Sequence, residues 1–89
     1  MAKRKYHIVI AKEAQDDLRK ELNYLRRKRS DQTARYVNKG IQDIIKTLDT
    51  FPERHGKLHR ISDSNRTYRF VPKWAYMIIY RVEKAVVRI

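Results

Sequence analysis

Eight side chains in the C-terminal half have the types and spacing to act on a polyanion. They are His55, His59, Arg60, Arg66, Arg69, Lys73, Trp74 and Arg81. Histidine is the one side chain whose ordinary pKa allows general-base work near neutrality, so His55 and His59 are candidates for that role. Arg69 and Arg81 can hold phosphate charge. Arg60, Arg66 and Lys73 gain meaning as one patch beside Trp74, which serves either as a lid on the core or as an exposed aromatic that stacks a base or inserts into a partner. His55, His59 and Asp63 step by four, a spacing that binds metal on a helix, but Gly56 and the turn residues around it disfavour a helix there, so no metal site and no cofactor is expected.

Charge supports the same direction. The 89 residues carry 22 Lys and Arg against 10 Asp and Glu, a net charge of +12. By segment the balance is +6 over residues 1–30, −1 over residues 31–53 and +7 over residues 54–89, which predicts a basic face in place of an evenly basic shell. Polyanionic partners follow: nucleic acid, an acidic protein segment, or both in turn. The absence of cysteine excludes disulfides and thiolate metal sites. The N-terminus, MAKRKYHIVIAKE, is too short in apolar residues for a signal peptide or a membrane span, so a soluble, cytoplasmic chain without a membrane partner is expected.

The elements that must position these side chains follow from periodicity. A chain of this length makes one domain, residues 1–89, burying about 60–65% of its unfolded surface. Tyr6, Ile8 and Ile10 alternate with His7 and Val9 as a short strand. From Lys12 to Arg29 the period changes: Ala14, Leu18, Leu22 and Leu25 form a narrow helical stripe. Acidic residues crowd its start and Arg26–Arg29 its end, so the basic run reads first as a solvated, dipole-matched helix terminus, with a phosphate or partner patch as the alternative. Ser30 or Asp31 caps a second helix with a wider stripe of Ala34, Val37, Ile41, Ile44, Ile45 and Leu48. Gly40 inside it, costing about 1 kcal/mol relative to Ala, implies close approach by another element. Phe51-Pro52 ends the helix, with Phe51 expected to drop into the core.

Residues 53–67 are a polar connection with a Ser-Asp-Ser-Asn turn cluster and one short edge strand around Lys57–Ile61. Residues 68–89 then read as three antiparallel strands. Pro72 closes the first, both faces of Tyr76–Val82 are largely apolar as in a central strand, Glu83-Lys84 turns, and Ala85–Ile89 returns. The fold expected is α+β: an N-terminal strand and an antiparallel helical hairpin on one face of a small antiparallel sheet formed with the C-terminal strands. The other face would stay open, carrying Arg69 and Arg81.

In this order and spacing, YHIVIAKEAQDDL (residues 6–18), LDTFPERHGKLHRI (48–61) and YRFVPKWAYMIIYRV (68–82) resemble the RelE/ParE superfamily of toxins from type II toxin–antitoxin modules. The first resembles its opening strand and Ala-x-x-Asp-Leu helix start, the second its Leu-x-x-x-Pro helix exit, the third its paired strands ending in Tyr-Arg-Val. The resemblance implies a growth-arresting toxin in a hetero-oligomer with a cognate antitoxin whose acidic segment wraps it. RelE-like members cut mRNA on the ribosome, and ParE-like members poison DNA gyrase.

For cleavage, a group must activate the 2′-hydroxyl, another must protonate the leaving oxygen, and cations must hold the phosphorane charge. The RelE-like pattern puts a basic residue just after the aromatic that opens the central strand, where this sequence has Met77. It also implies a further cation and an aromatic or histidine beyond the last strand, where the sequence stops at Ile89. The candidates left for a nuclease are His55, His59, Arg60, Arg69 and Arg81. The pattern therefore stands closer to ParE, an inhibitor acting by binding and no enzyme, with the mRNA endonuclease as the alternative and a basic nucleic-acid-binding domain without toxin role as a third.

Overall fold

The computed structural model describes residues 5–63 and 65–89. The basic start at residues 1–4 and Ser64 of the turn cluster lie outside the described residues. The chain runs β1 (His7–Val9), α1 (Lys12–Lys28), α2 (Asp31–Thr47), two short 3-10 turns (Pro52–Arg54 and His59–Ile61), β2 (Tyr68–Lys73), β3 (Tyr76–Glu83) and β4 (Val86–Arg88). Arg29 and Ser30 alone separate the helices, which fixes them as a hairpin. Ser30 caps α2, its hydroxyl accepting from the Thr33 amide at 3.0 Å. Arg26, Arg27 and Lys28 occupy the last turn of α1, as its dipole favours.

Strand order is β1-β4-β3-β2. β2, β3 and β4 are antiparallel neighbours, joined by tight turns at Trp74-Ala75 and Lys84-Ala85. The second turn lies one residue beyond the expected Glu83-Lys84, and Lys84 takes a left-handed φ of 53°. β1 pairs with β4 in parallel, so the sheet is mixed and not wholly antiparallel. Hairpins force strand reversal between sequence neighbours only, and β1 reaches β4 across the rest of the chain.

The α2 stripe lands on one face of the sheet. Leu22, Ala34, Val37, Ile41 and Ile45 enclose Ile78, while Leu48 is buried with Val71, Tyr80 and Val87. Two expectations fail locally. Phe51 is 69% exposed, because the chain reverses there through a left-handed φ of 46° and buries Pro52 in its stead. Pro72 does not close β2: it pairs with Met77 inside the strand, which a sheet-edge position tolerates because no inner ladder needs its missing N–H. The expected edge strand at Lys57–Ile61 shrinks to one bridge, Lys57 to Arg69, before the chain winds into the turn at His59.

Candidate functional site

Sheet register decides which candidates can act together. Directly opposed residues of antiparallel strands share a face, and Arg69 lies opposite Tyr80, which is 1% exposed. Arg69 is therefore on the face covered by the helices, and the expectation of Arg69 on the open face is corrected. Its Nη1 donates to the His55 carbonyl at 2.8 Å, tying the loop down to β2. The Tyr80 hydroxyl donates to the Pro52 carbonyl, and burial pushes its pKa up to about 12. A phenol held this way is no acid or base near neutrality.

His55 packs edge-on against Tyr80, with ring centroids 6.2 Å apart. Its Nε2 is buried and makes no hydrogen bond to any described residue. Burial, and then the charge of Arg54, lower its pKa below the ordinary 6.5. A lowered histidine pKa means that the folded state binds fewer protons than the unfolded state. The associated stability is complete above 6.5 and is lost as pH falls through that value towards the folded pKa. The denaturant midpoint should thus decline between about pH 7 and 5, and His55→Phe should flatten that decline. Equal slopes for the two proteins over this window would contradict the assignment.

Arg81 stands on the open face beside Arg88. Both clamp Glu83, with Arg81 Nη1 and Arg88 Nε each 3.0 Å from a carboxylate oxygen. These contacts hold the Glu83 carboxyl below its usual range. Arg69 and Arg81 thus occupy opposite faces and make no common site. His59, Arg60 and Arg66 are exposed on the connection. Asp63 accepts from the Asn65 and Arg66 amides, which lowers its pKa, and the steps from His55 to His59 to Asp63 fall on no helix. Among the described residues no three His, Cys, Asp or Glu side chains cluster as metal ligands.

The open face is apolar at its centre. Met77 is 47% and Ile79 39% exposed, opposite Pro72 and Phe70. Beside them, between α1 and β3, runs a groove lined by Ile10, Ala14, Leu18, Leu22, Met77 and Ile79. Tyr76 donates to Glu21 at 3.0 Å within its lining. β4 pairs with β3 only over Arg81–Glu83, so among the described residues no strand covers the β4-side edge of Tyr76–Tyr80.

Trp74 turns out to be packed and exposed at once. It is 48% exposed, with a left-handed φ of 54°, and its ring lies 5.3 Å from that of Tyr36. Lys73 Nζ sits 4.5 Å over the Trp74 ring. Tyr36 was not a candidate from sequence. The available signal was its spacing, four residues before Gly40 on the same face of α2, the glycine on which Trp74 rests.

A model of the ParE toxin of type II toxin–antitoxin systems (parDE) matches residues 8–89. The chain belongs to the ParE toxin family. No individual curated protein and no solved structure matches it. As a ParE-family chain it is the toxin of a type II module, and membership implies a cognate antitoxin as partner. That favours the toxin readings over a plain nucleic-acid-binding domain. No helix among the described residues is long and apolar enough to cross a membrane.

Proposed function

We propose that this ParE-family toxin arrests growth by binding DNA gyrase and stalling it, without cleaving RNA. The observation that carries the reading is the use already made of the groups a nuclease would need. Arg69 is turned to the covered face and bonded to the His55 carbonyl, and Arg81 is paired with Glu83 at 3.0 Å. The central strand presents Met77 and Ile79 to solvent, where a phosphorane would require cations. An apolar face with flanking arginines suits binding to a protein better than charge stabilisation. Induction of the toxin without its antitoxin should arrest growth with plasmid DNA progressively relaxed and mRNA intact. Arrest with normal plasmid supercoiling would contradict the reading.

In the same reading the groove between α1 and β3 seats the antitoxin. A disordered acidic segment with alternating apolar residues can fill the Leu18–Met77 groove and neutralise part of the +12 charge.

One observation favours the mRNA endonuclease as a second reading: His55, neutral near pH 7, has a buried Nε2 without a partner among the described residues and stands beside Tyr80 and Arg69.

A further inference from the structure

We propose that Tyr36, Trp74 and Lys73 form a stacking platform for the bases of single-stranded nucleic acid. The platform does not depend on which enzyme the toxin stops. None of its three residues lines the groove between α1 and β3.

Two features show that this cluster is built, on a hairpin turn whose left-handed first residue, Trp74 at φ 54°, has its counterpart in Lys84 at φ 53° of the next hairpin. The α2 helix carries glycine where the ring docks: a Cβ on Gly40 would lie 2.3 Å from Trp74 Cη2 and 2.9 Å from Cζ3. Helix propensity is thus given up at a position whose only visible gain is the seat of an aromatic ring. That ring nevertheless stays 48% exposed and its neighbour Tyr36 66% exposed, so the arrangement sets two rings 5.3 Å apart without burying them. Such preorganisation lowers the ordering cost of binding.

The surroundings favour a base over a protein side chain. A protein hot spot needs surrounding contacts that exclude water from it. Here the flanking side chains are cationic: Lys73 over the indole, with Arg35 and Lys39 on either side of Tyr36 in α2. Arg35 and Lys39 pair with Asp31 at 2.9 Å and Asp43 at 3.2 Å, but with side chains 80% and 77% exposed these ion pairs exchange readily for phosphate. Two rings match one or two bases in area, and the cations match the phosphates between them. Lys73 leaves the indole face for a phosphate when a base takes its place, because an exposed cation–π contact is weaker than a stacked base.

Trp74 is the only tryptophan in the chain, so its emission reports on the platform directly. The test titrates the full-length toxin with oligodeoxythymidine of about 12 nucleotides and with an abasic strand of equal length, at about 50 mM salt. Oligodeoxythymidine should bind more tightly and quench Trp74, while the abasic strand binds by charge alone. Tyr36→Ala, a substitution at an exposed position, should weaken oligodeoxythymidine binding about 5- to 150-fold and leave the abasic strand unaffected. Trp74→Phe should retain the preference for bases. Equal binding of the two strands with unchanged Trp74 emission would overturn the proposal. So would equal losses for both strands in Tyr36→Ala, and so would quenching by the antitoxin or a gyrase subunit but by neither strand.

Discussion

Replacing Leu48 by alanine should lower the free energy of unfolding by about 2–5 kcal/mol, a large part of the roughly 5–15 kcal/mol that stabilises a small domain. Leu48 is wholly buried at the C-terminal end of α2 and shares a cluster with Val71, Tyr80 and Val87 from three strands. It joins the helical hairpin to the sheet at one point. The cavity would open against strand residues held by their own ladders, so little collapse can refill it. Thermal unfolding followed by circular dichroism should show the midpoint reduced by about 10 °C or more. A shift of only a degree or two would mean that Leu48 does not hold the hairpin to the sheet.

Met77→Glu should weaken antitoxin binding by about 30-fold or more while leaving the fold intact, since truncating or charging the centre of an interface removes about 2 kcal/mol or more. Met77 is half exposed on the free toxin, so a carboxylate there remains hydrated until a partner covers it. It would then be buried against the apolar groove and repel the acidic antitoxin segment. Calorimetric titration of antitoxin into the two toxins, with their melting temperatures compared, measures both terms. Unchanged affinity would move the antitoxin's seat away from the groove.

Much of this architecture is legible in the sequence because it is periodic. The Ala34–Leu48 stripe predicts a helix and its buried side, and the alternation through Tyr76–Val82 predicts a strand; both elements are found. A cap at Ser30 or Asp31, which the fold assigns to Ser30, and Gly40 as a point of close approach are equally local signals. Relations between distant segments are not legible. β1 pairs in parallel with β4, and no local pattern sets that direction. Arg69 illustrates the cost for the site. Period two places Arg69 opposite in face to Tyr68 and Phe70, but the face taken by the helices depends on how the hairpin docks, and it takes the face of Tyr80. Phe51 and Pro52 exchange places because one left-handed residue redirects the chain. The contact of Tyr36 with Trp74 joins α2 to a strand turn, and only Gly40 hints at it.

The central claim is inhibition by binding, and one paired assay on purified toxin tests it most directly. Gyrase supercoiling of relaxed plasmid is followed with added toxin, and ribosome-bound mRNA is mapped by primer extension at the same toxin concentration. Supercoiling should stall and the mRNA should stay whole, with the stall relieved by antitoxin. Codon-positioned cuts in the mRNA with supercoiling undisturbed would contradict the account and return His55 and Arg69 to the centre of the chemistry.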